Sequence, residues 1–287
     1  MFFSTSNRSL LLLPILLAST MPVPLRLAAH PSVDEQLSQL DQVETQRRCD
    51  GAAELKRGDL HRSRQDWAHA RAAYDKAAAC DPQLDEVDFA RGLLELESGN
   101  TPDALPYFNR YLGKHPDSPQ ALLSRGRARA KLERSVDAIA DFDRAIELLR
   151  DPQPDHYIER ARAEVGAGRN RDAVIGLDRG IARLGPVPAL QRLAIDIEVA
   201  DQRFDVALQR VDAAVAGGVN REAWMVRRGD ILEAAGRPSE ARQAFGVALA
   251  TIASRPEQQR QAAALQELEE HSREALKRLA EKLPPAR

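Results

Sequence analysis

Six histidines, His30, His61, His69, His115, His156 and His271, and two cysteines, Cys49 and Cys80, are the residues of this 287-residue chain best suited to hold a metal or attack a substrate. Metal sites built from them need close spacing: two histidines one helical turn apart around a glutamate, or cysteines two residues apart. The chain has neither pattern, and two cysteines so far apart make no zinc site. Acyl transfer would need a Gly-x-Ser-x-Gly elbow. Nucleotide chemistry would need a glycine-rich loop ending in Gly-Lys-Ser/Thr, or Gly-x-Gly-x-x-Gly after a strand. None of these occurs. The carboxylates Asp141 and Asp143 stand among basic neighbours, as charges on a solvated helix face do. The sequence therefore predicts no catalytic residues, no cofactor and no bound metal.

The elements that position any binding residue are set by an internal repeat. Gly58, Gly92, Gly126, Ala161, Ile195 and Gly229 recur every 34 residues, with one extra residue between the third and fourth. Twelve residues after each stands an alanine: Ala70, Ala104, Ala138, Ala173, Ala207 and Ala241. Four residues further come Tyr74, Phe108, Phe142, Leu177, Val211 and Phe245. A glycine inside a helix costs about 1 kcal/mol of propensity, so close approach of a second helix is the expected compensation. The large residue, one turn beyond the alanine, is expected to fill the space between hairpins. Turn signals separate the helices at Ser98-Gly99-Asn100, Gly168-Arg169-Asn170 and Gly236-Arg237-Pro238. Pro82, Pro116 and Pro152 end second helices.

This register of small residue, alanine, aromatic, alanine and proline resembles the tetratricopeptide repeat, most fully in the first unit at Gly58, Ala70, Tyr74, Ala77 and Pro82. The resemblance implies an all-α, right-handed superhelical solenoid of six helical hairpins, over 51–84, 85–118, 119–152, 154–187, 188–221 and 222–255. Capping helices are expected in 30–50 and 256–287. Units four and five are degenerate, and their missing glycine and aromatic residues predict a looser or bent stack. In this family the first helices line a concave groove that holds partner segments. Carried over by register, the groove comprises Leu55, Asp59, Phe89, Leu93, Leu96, Leu123, Arg127, Ile158, Arg162 and Val226. Its apolar middle with Arg127 and Arg162 suits an extended or helical segment with apolar anchors and some acidic character. The alternative is that the apolar members pack against neighbouring helices. Leu55, Asp59 and Leu93 stand where a chaperone-tail clamp of this family would need lysine and asparagines, so that specialised reading is not supported.

A second rhythm runs through the repeat. Arginine precedes the small residue at Arg57, Arg91, Arg125, Arg160 and Arg228, with Ala194 the exception. Asp75, Asn109, Asp143, Asp178 and Asp212 follow the large residue, with Gly246 the exception. An acid with no following unit has nothing to face, which points to a ladder Asp75–Arg91, Asn109–Arg125, Asp143–Arg160 and Asp212–Arg228. Two solvent-facing stripes would produce the same sequence.

Cys49 precedes the first helix of unit one and Cys80 ends its second, so antiparallel helices bring them to one end of the hairpin. A disulfide there would constrain the unfolded chain by about 3–4 kcal/mol; two separate small core residues are the alternative. Arg8, the apolar run Leu10 to Ala18, and small residues at Leu27-Ala28-Ala29 read as an export signal over residues 1–29. That run is too short to span a bilayer. Ser32 and Glu35 form a capping-box pattern opening a helix toward Arg47. Leu265, Leu268, Ser272, Ala275 and Leu279 mark a final helix, either closing the last hairpin or forming a short coiled-coil seam.

A net charge of −2 supplies no basic field for nucleic acid, and pairs such as Arg47–Arg48 and Arg227–Arg228 belong to solvated faces. The expectation is a periplasmic or secreted, non-catalytic binding scaffold with a protein or peptide partner, no membrane insertion after signal removal, and a monomeric or weakly dimeric state; tethering to the membrane by an uncleaved signal is the alternative location. The alternatives are an assembly factor or spacer in an envelope machine and, remotely, an enzyme with an unrecognised site.

Overall fold

The computed structural model describes residues 32–44, 49–218 and 220–282, and every described element is helical or a turn. The export segment at 1–29 and the Arg47–Arg48 pair lie outside the described residues. Helix α1 (Val33–Glu44) opens with the expected capping box: Glu35 N–H donates to Ser32 Oγ at 3.2 Å, and Ser32 N–H donates to the Glu35 carboxylate at 2.7 Å. Six hairpins follow: α2 (Gly51–Ser63) with α3 (Trp67–Cys80), α4 (Glu86–Glu97) with α5 (Thr101–Lys114), and α6 (Pro119–Lys131) with α7 (Ser135–Leu148). The last three are α8 (Pro154–Gly166) with α9 (Asn170–Leu184), α10 (Pro188–Ala200) with α11 (Phe204–Ala216), and α12 (Arg221–Ala234) with α13 (Pro238–Ala253). A short helix α14 (Glu257–Arg260) leads to the closing helix α15 (Ala263–Lys282). Each second helix packs on its own first helix and on the next, which makes a superhelical solenoid.

Every hairpin turns through three residues, and the middle one is left-handed. Gly99, Gly168 and Gly236 hold φ of 92°, 71° and 69°, while Gln65, Glu133 and Gln202 hold 60°, 59° and 58°. The glycines adopt this conformation freely; each side-chain-bearing residue gives up about 1 kcal/mol to do so. The turn recovers part of that through a repeated backbone bond across it. Asp66, Arg134, Arg169, Arg203 and Arg237 donate to the carbonyls of His61, Arg129, Glu164, Glu198 and Leu232 at 2.8–3.0 Å.

The glycine column faces the aromatic of its own hairpin, not the space between hairpins. A Cβ placed on Gly92, Gly126 or Gly229 would stand 2.6, 2.9 or 2.6 Å from the ring of Phe108, Phe142 or Phe245, and one on Gly58 closer still to Tyr74. In the fourth hairpin the pair is Ala161 with Leu177, and in the fifth Ile195 with Val211; all four are fully buried. As the first member grows from glycine to alanine to isoleucine, the second shrinks from aromatic to leucine to valine. The degenerate units are therefore not left empty. The fifth does differ, because α10 and α11 run close along less of their length than other hairpin pairs.

The ladder is present. Arg91 donates to Asp75 at 2.5 Å, Arg125 to Asn109 at 3.0 Å, Arg228 to Asp212 at 3.0 Å, and Arg160 to Asp143. Most of these acceptors are solvent-exposed, so each rung contributes about 0–1 kcal/mol. Where Ala194 leaves the arginine slot vacant, Arg210 on α11 takes over. It donates to both oxygens of Asp178 at 2.6 and 2.8 Å and to the fully buried Glu198 at 2.9 Å.

Helix α15 lays Ser272, Ala275 and Leu279, all buried, against α13, and Leu268 packs on the same core. Its apolar stripe is thus used within the chain, which removes the coiled-coil alternative. His271 adds an interaction with Asp230 at 2.7 Å. Among the described residues no helix is long and apolar enough to cross a membrane.

Candidate functional site

A cleft of about 900 Å³ opens between the first helices α4, α6 and α8. Leu93, Leu96 and Ala130 form its apolar floor, and Arg127, Lys131 and Arg162 supply cations. Four residues assigned to the groove by register, Leu93, Leu96, Arg127 and Arg162, meet here. Arg127 is held by Glu159, with its Nε 2.9 and 3.1 Å from the two carboxylate oxygens. Lys131 reaches the Leu96 carbonyl at 3.5 Å. Arg162 is exposed and has no ion-pair partner among the described residues. Glu97, Glu133 and Glu159 line the same cleft, so an incoming carboxylate would meet the Arg162 guanidinium beside the apolar floor with three like charges around it.

The remaining register positions fall elsewhere. Leu123 and Val226 are buried in the hairpin cores, 6% and 4% exposed, so they offer a ligand little surface. Phe89 is half-buried, with ring centroids 5.2 Å from Tyr111 and 6.1 Å from Phe108. Leu55 and Ile158 pack beside the first and fourth hairpins. Asp59 accepts the Tyr74 hydroxyl at 2.8 Å and lies 3.5 Å from Arg62, which bonds Glu97 at 2.6 Å. Burial, reinforced by Asp59, pushes the Tyr74 hydroxyl above the ordinary phenol range. The groove face of the first hairpin is thus a closed polar network. A smaller cleft of about 330 Å³ lies between α10 and α12, where Arg192, Trp224 and Val226 meet Leu268 of the closing helix.

Lys131 was missed by the sequence register, because it stands one position beyond the row that supplies Leu96 and Ala130. Also missed were His61 and His69, which the first turn folds onto Asp66. Cys49 and Cys80 stand at one end of the first hairpin with Cα atoms 5.4 Å apart, inside the range a disulfide requires.

Two stretches, 89–156 and 192–258, match the tetratricopeptide repeat family model. No curated protein sequence matches. Among solved structures, a tetratricopeptide repeat protein from Parabacteroides merdae ATCC 43184 is similar at 18% identity and a TM-score of 0.52, over 84% of this chain and 92% of that one. A structure of Naa15/Naa10 bound to HypK-THB is similar at 15% identity and a TM-score of 0.52, over 85% of this chain and 36% of that one. MamA from Desulfovibrio magneticus RS-1 shares 18% identity over 54% of this chain and 89% of its own, with a TM-score of 0.49. At such identities the likeness concerns the fold. The two matched stretches are tetratricopeptide repeats, and together with the solved structures they show that the chain carries the tetratricopeptide repeat fold.

Proposed function

We propose that this protein is a non-catalytic scaffold of the bacterial periplasm or envelope. It holds a segment of a partner protein in the cleft between α4, α6 and α8. The observation that carries this reading is the pairing of an apolar floor at Leu93 and Leu96 with the unpaired Arg162 guanidinium. Such a surface takes an extended or helical segment with an apolar anchor and a nearby carboxylate. Outside the groove, large exposed apolar residues stand singly on different second helices, Val136 on α7, Ile175 on α9 and Val247 on α13. Single residues of that kind are ordinary surface and make no competing docking patch. Export is supported by the charge and apolar pattern of residues 1–29, and a Cys49–Cys80 bridge, which an oxidising compartment would preserve, by the 5.4 Å Cα separation.

One experiment tests these statements together. A photocrosslinking amino acid is placed at Leu93, or as a control at Ile175, in chains expressed in a Gram-negative host. The expected outcome is a discrete adduct from Leu93, abolished by Arg162→Glu, in the periplasmic fraction. The recovered chain should have a mass that lacks residues 1–29, with both cysteines protected from alkylation until reduced. Adducts of equal yield from Ile175, or from Leu93 regardless of Arg162, would overturn the groove reading. Cytoplasmic recovery at full mass would overturn export.

A further inference from the structure

The turn of the first hairpin differs chemically from its counterparts. In the third and sixth hairpins the residue before the second helix is an arginine, and it pairs with an acid three residues on. Arg134 bonds Asp137 at 2.7 and 2.9 Å, and Arg237 bonds Glu240 at 2.7 and 2.8 Å. The first hairpin reverses the polarity, with Asp66 before the helix and His69 three residues on. At the end of its first helix, where those hairpins carry Arg129 and Leu232, stands a second imidazole, His61. The scaffold builds the same turn without any histidine, so the turn itself does not require this pair.

The three side chains converge. His61 Nδ1 lies 3.2 Å from Asp66 Oδ2, and His69 Nδ1 lies 2.8 Å from the same oxygen. The two rings stack with centroids 5.2 Å apart, and one donor atom from each of the three residues lies within 4.8 Å of the others. Asp66 also caps α3, accepting the His69 backbone N–H on Oδ1 at 3.4 Å, and that contact fixes the carboxylate. In a tetrahedral site with zinc–nitrogen bonds near 2.0–2.1 Å, neighbouring donors stand about 3.3 Å apart. The two nitrogen–oxygen distances lie near that edge length, the three donor atoms together span no more than 4.8 Å, and the exposed ring of His69 can adjust.

We propose that His61, Asp66 and His69 form a binding site for a divalent transition ion of the zinc class. Two imidazole nitrogens and one carboxylate oxygen are the protein ligands, and water completes the shell on the open side next to His69. Imidazole selects such ions over calcium and magnesium, which prefer all-oxygen shells. The ion would join the last turn of α2 to the first turn of α3.

The test uses the untagged chain stripped of metal and titrated with zinc against a chromophoric chelator at neutral pH. One zinc per chain is expected, with magnesium and calcium failing to compete in excess. His61→Ala and His69→Ala should each weaken binding at least tenfold. Asp66→Asn, which still caps α3, should weaken it without loss of helical circular dichroism. His271→Ala, altering a histidine–aspartate contact far from the first hairpin, should leave binding unchanged. Equal affinity of the wild type and the His61→Ala/His69→Ala chain, or no binding by a folded wild type, would overturn the site.

Discussion

The third and fifth hairpins solve the same packing problem with opposite parts. In the third, Gly126 lets the Phe142 ring lie against the first helix; in the fifth, Ile195 fills that space itself and Val211 withdraws. In the third, the buried Asp141 sits on the second helix and receives Arg125 at 2.7 and 3.0 Å and Arg129 at 2.6 Å from the first. In the fifth, the buried carboxylate is Glu198 on the first helix, and the cation, Arg210, comes from the second. What persists between them is the inverse relation of size at the crossing, a buried acid met by an arginine from the opposite helix, and the buried alanine at Ala138 and Ala207, although Glu198 keeps one oxygen without a partner.

The largest expected break comes at the exchanged ion pair. Arg210→Ala leaves Glu198, 0% exposed, with no cation and removes the rung to Asp178. A loss of about 3 kcal/mol is expected in chemical denaturation. Asp75→Ala, which opens an exposed rung, should cost under about 1 kcal/mol. Similar losses for the two variants would mean that Arg210 is one more rung and that the buried acid is tolerated alone.

The volume exchange is tested by moving the fifth pair into the third hairpin. Gly126→Ile overpacks against Phe142 and Phe142→Val leaves a void, each costing about 2–3 kcal/mol. Because the two defects offset, the double variant should lose at least about 1 kcal/mol less than the sum of the singles. Strict additivity in a double-mutant cycle would show that the fifth hairpin is held open by its backbone and not by this pair.

The smallest effect concerns how well other buried acids are met. Burial holds the Glu164 carboxyl above its ordinary value, with Arg160 only 3.2 Å away on one oxygen and the other unpaired. The bond from Arg255, at 2.6 Å, holds Glu222 below its ordinary value. A raised carboxyl contributes stability that is present below the unfolded value, about 4.3, and lost as pH rises through the folded one. A lowered carboxyl contributes stability that is present above 4.3 and lost as pH falls. Relative to wild type, Glu164→Gln should therefore gain stability from acid toward neutral pH, and Glu222→Gln should lose it. Slopes of the same sign in denaturation midpoints would contradict the assignment.

The hairpins and their register were legible in the sequence because glycine, alanine and aromatic residues recur at fixed offsets, and each offset corresponds to a helix crossing. The ladder was legible for the same reason, since its two ends occupy fixed positions on successive units. Arg210 was not, because it supplies the missing cation from the other helix, outside the column where Ala194 stands. The exchange of Ile195 and Val211 looked like decay when each column was taken alone and is visible only as a pair. Register also located Leu93, Leu96, Arg127 and Arg162 on the groove face. It could not report depth, so Leu123 and Val226 entered the same list although they are core. His61 and His69 are eight residues apart, a spacing with no motif attached, and only the left-handed residue at Gln65 folds them together.

A stack of like units carries no intrinsic instruction to stop. The exposed side of the last second helix resembles the side that every earlier one offers to its successor. Helix α15 occupies that place with Ser272, Ala275 and Leu279, while its other face is almost wholly polar and charged. It accepts the stacking face of α13 as a further hairpin would, and turns polar and charged side chains the other way. Among the described residues the stack thus closes on a single twenty-residue helix that carries no repeat of its own.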